Sequence, residues 1–145
     1  KGMSVGGIMI GVILPGGGYG KAGKAIVKNY NNVLRHVVSG SSKGGLHVLD
    51  NAIAQGKKID DFKILGNKGV MAGKIDGKFK TFFPQSWSQK DIKNSLKYLE
   101  NNQIVIERNG RNYVQSSGAY KGVHIEGTLD GKGDITSFYP SQKNK

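Results

Sequence analysis

The spacing of apolar residues changes character along this chain, and that change limits the folds open to it. Between Ala25 and Ala54, and again after Ser88, apolar side chains recur every three or four residues. From Phe62 to Phe83 and from Ile104 to Tyr139 they alternate or come in short runs broken by glycine-containing turns. The first spacing belongs to amphipathic helices and the second to strands. Helices in front and strands dominating the second half predict an α+β fold, N-terminal helices followed by antiparallel β-sheets, and argue against a doubly wound parallel sheet.

Ile26, Val27, Tyr30, Val33, Leu34 and Val37 predict a helix from Ala25 that ends in the loop Ser39–Gly45. A short second helix is expected over Leu46–Ala54, with Gly56 as its stop. Ser88 caps a third, with Asp91 placed to receive the free first-turn amides, and it ends by Asn101-Asn102. Strands are expected at Ile104–Ile106, Tyr113–Val114, Tyr120–Ile125 and Ile135–Tyr139, with turns at Asn109-Gly110 and Asp130-Gly131. A chain of 145 residues supports one core, read as a folded domain over 25–145 behind a glycine-rich apolar lead-in over 1–24. The apolar run Val5–Leu14 is too short for a bilayer, which needs ~20 helical residues, and the Pro15-Gly16-Gly17-Gly18 that follows is a poor signal-peptide cleavage site.

Twenty-two Lys+Arg against 10 Asp+Glu leave a net charge of +12, which points to a polyanionic partner: RNA, DNA, an anionic membrane or an acidic protein. The lack of cysteine excludes disulfides, Cys-ligated zinc, iron–sulfur clusters and thiol nucleophiles. Gly18 to Lys24 nearly spells a phosphate-binding loop, but Ala25 stands where the magnesium-binding hydroxyl is required.

His36 and His47 flank the glycine-rich loop, and that pairing suits cleavage of RNA by its own 2′-hydroxyl. One imidazole removes the 2′ proton, the other protonates the departing 5′ oxygen, and a nearby cation stabilises the phosphorane. Imidazole can do either, because its ordinary pKa of ~6.5 lies near working pH. No metal or other cofactor is needed. Amides of Gly44, Gly45 and Leu46, at the expected start of the second helix, are candidates to hold a phosphate oxygen. Trp87 is expected in the core, and His124, between Val123 and Ile125, outside the chemistry. The alternative reading is a non-catalytic RNA- or DNA-binding module with structural histidines.

Three segments resemble the EndoU endoribonucleases. His36-Val37-Val38-Ser39-Gly40 with Gly44-Gly45-Leu46-His47 is similar to that family's paired-histidine motif, including its coronavirus uridylate-specific form, with a shorter loop. Lys78 to Ser88, carrying Lys80 and Phe83-Pro84, resembles the segment of the catalytic lysine, and Ile135-Thr136-Ser137-Phe138-Tyr139-Pro140 resembles the closing hydroxyl-x-Tyr-Pro signature. The resemblance implies the two-sheet RNase A-like (BECR) fold, His36 and His47 as base and acid in either order, and Lys80, with Lys78 as its alternate, as the stabilising cation. Tyr139 would stack on or orient the base and ribose, with Ser137 or Thr136 on the base edge. Manganese stimulation is not expected. Bacterial members include the C-terminal toxin domains of contact-dependent growth inhibition and other polymorphic toxin systems. By resemblance, the substrate is RNA, specifically tRNA, and an acidic immunity protein is the partner of an otherwise monomeric domain. There is no stable membrane insertion, and the domain is delivered from a secreted or cell-surface toxin into the target cytoplasm.

Overall fold

The computed structural model describes residues 24–41 and 44–144. The lead-in and most of the Gly18–Lys24 stretch lie outside the described residues.

The first helix begins later than its apolar spacing suggests. α1 spans Tyr30–Ser39 and is capped by the Asn29 side chain, which accepts from the Asn32 amide. Ala25–Val27 instead run extended: the Ala25 amide donates to Gln103 (2.7 Å), the Val27 amide to Glu100 (2.7 Å), and the Ile26 carbonyl accepts from Ile135 (2.8 Å). Periodicity misplaced these residues because an extended segment with Ala25 and Val27 buried is also apolar. α2 covers only Leu49–Ala54. Positive φ at Gly44, Gly45 and Leu46 keeps those residues out of the helix expected to begin at Leu46.

β1 (Asp60–Leu65), β2 (Val70–Ile75) and β3 (Lys78–Phe82) form an antiparallel three-stranded sheet in that order. α3 (Gln89–Asn101) follows, with the Ser88/Asp91 capping box formed in both directions. β4 (Gln103–Arg108), β5 (Arg111–Ser116), β6 (Ile125–Leu129) and β7 (Ile135–Pro140) make a four-stranded antiparallel meander. The strand expected over Tyr120–Ile125 divides at Ile125. Tyr120 and Val123 exchange backbone hydrogen bonds around Lys121 and Gly122, both at positive φ, which makes a tight turn there.

Both sheets are buried by alternation. Ile92, Leu96 and Leu99 of α3 and Val33 and Val37 of α1 pack on Val114, Ile125 and Phe138 of the larger sheet. Val70 and Ala72 of the smaller sheet join this core, whereas Met71, Ile75 and Phe82 on its other face pack with Leu46, Leu49 and Ala52. Trp87 stacks on Phe83 and meets Tyr120 edge-on, as expected of a core-packing residue. No helix among the described residues is long and apolar enough to cross a membrane.

Candidate active site

The two sheets meet where β3 runs beside β7, and Thr81 joins them. Its hydroxyl donates to the Pro140 carbonyl (2.6 Å), and its own carbonyl accepts from His47 Nδ1 (2.8 Å). Because a carbonyl only accepts, this bond fixes the proton of neutral His47 on Nδ1 and leaves Nε2 as the basic nitrogen.

Backbone bonds hold the two histidines in relation to each other. The Leu46 amide donates to the His36 carbonyl (3.1 Å) and the His47 amide to the Val37 carbonyl (2.6 Å), so the chain folds back on the end of α1. This return requires glycine at position 45, whose φ is +82° and whose missing Cβ would strike the His36 carbonyl. Lys80 reaches across from β3 and donates to the Gly45 carbonyl (2.6 Å). The structure thus brings His36, His47 and Lys80 to one loop.

Their titration reflects confinement among cations. Burial pushes His47 down to about 3; the bond to the Thr81 carbonyl opposes that shift, and repulsion from Lys80 and then His36 adds to it. His36 is half-buried, its Nδ1 hydrogen-bonded to Ser41 Oγ (2.7 Å), and it is lowered first by burial and then by Lys80. Lys80 is itself lowered by burial and by Lys78 and Lys57. Lys78 shares the face of Lys80, since Lys80 pairs with Gly73 and Lys78 with Ile75, but it is exposed.

An open cavity of about 580 Å³ lies beside these residues, walled by His47, Lys80, Thr81 and Tyr139 at one end and by Arg108, Tyr113 and Glu126 at the other. The Tyr139 ring lies 5.1 Å from that of His47, and its hydroxyl donates to Glu126 (2.8 Å). Glu126 is buried and also accepts from Gln115 (3.0 Å) and from both terminal nitrogens of Arg108 (2.7 and 3.3 Å). Burial alone would raise its pKa, but these donors prevail and hold it below the usual carboxylate range. Burial and the neighbouring carboxylate push Tyr139 upward, so it stays a donor.

Several expected contacts are not formed. The amides of Gly44 and Leu46 donate inward to Ser41 and His36, so two of the three amides expected to hold a phosphate are already engaged, and all three residues precede α2 instead of starting it. Thr136 is the extra residue of a bulge, because Thr128 pairs with Ser137 and Leu129 with Ile135, and its hydroxyl lies 3.1 Å from that of Thr128. Ser137 is buried, and neither it nor Thr136 walls the cavity. His124 precedes β6, gripped through its backbone by the Asn144 side chain.

Sequence reasoning missed Arg108, Tyr113, Gln115 and Glu126. Register places Tyr113 opposite Thr128, Gln115 opposite Glu126, and Glu126 opposite Tyr139, all on the face turned from the core. A signal was available in the polar alternation Arg111, Tyr113, Gln115 and in a lone carboxylate between Ile125 and Gly127.

The described residues thus form two antiparallel sheets, with His36, His47 and Lys80 gathered where the sheets meet. The family model for the bacterial EndoU nuclease matches residues 30–142, and the chain belongs to that family. No curated protein and no solved structure matches the chain.

Proposed function

We propose that the domain is a metal-independent endoribonuclease that leaves a 2′,3′-cyclic phosphate and a 5′-hydroxyl. The observation that carries this reading is the bond from Lys80 to the Gly45 carbonyl, which sets one ammonium beside the loop joining His36 and His47. His47 is the general base: it is neutral, and its Nδ1–H is occupied by Thr81, so Nε2 accepts the 2′ proton. The ribose oxygen attacks phosphorus, Lys80 stabilises the extra negative charge, and the more accessible His36, when protonated, gives its proton to the leaving 5′ oxygen. Tyr139 orients the ribose and base beside His47. Acid, base and cation are all side chains, so neither magnesium nor manganese is required.

The biological setting is a toxin domain delivered from a secreted or surface protein into a target cytoplasm, with tRNA as substrate. The +12 charge favours both a polyanionic substrate and an acidic immunity protein that covers the cleft of a monomeric domain.

Total bacterial RNA incubated in EDTA tests the chemistry. Discrete fragments with cyclic-phosphate ends are expected, lost by orders of magnitude with His36→Ala, His47→Ala or Lys80→Ala. Lys24→Ala, remote and bonded to the Asn101 side chain, should cleave normally. Bound but intact RNA, in EDTA and again with manganese, would replace this reading with the binding module.

A further inference from the structure

The cavity extends well past the groups that the cleavage reaction uses. Its far wall is the solvent-side face of the larger sheet, where Tyr113 on β5 stands two strands from Tyr139, roughly 10 Å at ordinary strand spacing, and Arg108 reaches in from β4 to the Glu126 carboxylate. The Arg108 guanidinium is fixed on two sides. Its terminal nitrogens grip Glu126 at 2.7 and 3.3 Å, and its Cζ lies over the Tyr113 ring, 4.7 Å from its centre. About half of its side chain remains exposed, at 46%, and it walls the cavity. An arginine whose edge and one face are occupied offers its other face as a rigid plane.

The charges here are arranged for an anionic guest. Glu126, the one carboxylate in the cavity wall among the described residues, is saturated by Arg108, Gln115 and Tyr139. Arg111 lies over the same Tyr113 ring at 5.6 Å, is exposed, and has no acidic partner among the described residues. A flat cation, a ring and an uncommitted guanidinium match a base and its phosphate in a single strand, where bases stack on aromatic or guanidinium planes.

We propose that Arg108, backed by Tyr113 and braced by Glu126, stacks the base of the RNA nucleotide flanking the cleaved one, while Arg111 pairs with its phosphodiester. The subsite rests on the cleavage reading only for the name of the neighbouring nucleotide. Stacking discriminates poorly among bases, so this subsite adds affinity and register for single-stranded RNA, and any sequence choice belongs to the Tyr139 end.

Binding of uncleavable 2′-deoxy mono- and trinucleotides tests the proposal, measured by calorimetry at several salt concentrations. The trinucleotide should bind the native protein at least about tenfold more tightly than the mononucleotide. Arg108→Lys keeps the charge but removes the plane and should abolish most of that gain. Arg111→Ala, a surface change that cannot disturb the core, should weaken the trinucleotide severalfold and reduce the salt slope by about one phosphate contact. Trinucleotide affinity unchanged in both variants, or no gain over the mononucleotide in the native protein, overturns the subsite. Cleavage in EDTA is scored separately. Arg108-dependent binding without cleavage would retain the subsite and remove the reaction, whereas cleavage without Arg108-dependent binding would do the reverse.

Discussion

Gly45 lies directly against the carbonyl of His36, so close that no other residue fits. The Gly45 carbonyl in turn holds Lys80, a joint between the histidine loop and β3 beside the bond from His47 to Thr81. Gly45→Ala forces a collision on top of a left-handed backbone that costs ~1–2 kcal/mol for an L-residue. It should lose more than about 2 kcal/mol of stability and nearly all cleavage. Gly44→Ala, whose Cβ would meet open space, should lose only the backbone cost. Thermal melts and cleavage assays of the two variants, compared side by side, check this ordering.

The proton inventory predicts an acidic optimum. His36 must be protonated to act as the acid, and burial and Lys80 hold its pKa below the ordinary 6.5. His47 must be neutral to act as the base, and it remains so down to about 3. In the free enzyme, kcat/KM should therefore fall as pH rises through a value below 6.5 and hold on the acid side. Lys80→Met should lower the rate throughout and move the alkaline limb upward, because one source of repulsion on His36 is gone. A limb that stays in place would remove His36 as the acid.

The same burial makes His47 a stability determinant. Its folded pKa of about 3 lies below the unfolded value of 6.5, so the unfolded chain binds more protons between these values. The stability is complete above pH 6.5 and is lost as pH falls toward 3, a loss on the order of 5 kcal/mol. Urea unfolding at pH 7 and pH 4 should show a much smaller difference in His47→Asn, whose amide can still donate to the Thr81 carbonyl.

How much of this was legible in the sequence depended on whether a residue's role was local. The capping box at Ser88 and Asp91 and the turn at Asn109-Gly110 were readable because each is completed within a few residues. The histidine pair was readable because one loop joins it. Residues whose partners lie on other strands were not. Arg108 meets Glu126 only through a register in which β5 intervenes, and no local pattern encodes which strands are neighbours. Ala25–Val27 misled for a related reason, since their burial comes from α3, β4 and β7, elements distant in sequence. The glycine loop misled differently. The amides of Gly44 and Leu46 are donors in composition but already serve the loop's own fold.

The Arg108–Glu126 pair should respond asymmetrically to truncation. Arg108→Ala strands a buried carboxylate, and removing one partner of a buried pair costs about 3–5 kcal/mol. Glu126→Ala leaves a guanidinium that can turn to water, so its cost should be nearer ~1–3 kcal/mol, from the lost acceptor for Gln115 and Tyr139. Denaturant melts should rank the arginine variant lower, with the gap narrowing near pH 4 as the stranded carboxyl takes up a proton.

Thr81 is the residue through which packing reaches the chemistry. Its buried hydroxyl ties β3 to β7 at the Pro140 carbonyl, and its backbone carbonyl sets the tautomer of His47. Thr81→Val keeps the shape but leaves the Pro140 carbonyl without that donor, at a cost of ~1–3 kcal/mol. The carbonyl that holds His47 survives the substitution, so the base itself stays intact. What loosens is the distance between His47, held by β3, and Tyr139 on β7, which the Thr81 bond now fixes. Cleavage by Thr81→Val should fall severalfold through kcat with an unshifted pH profile, whereas Thr81→Ser, which restores the hydroxyl, should recover most of the rate. A shifted profile in Thr81→Val would instead mean that the hydroxyl, and not the carbonyl, governs the state of His47.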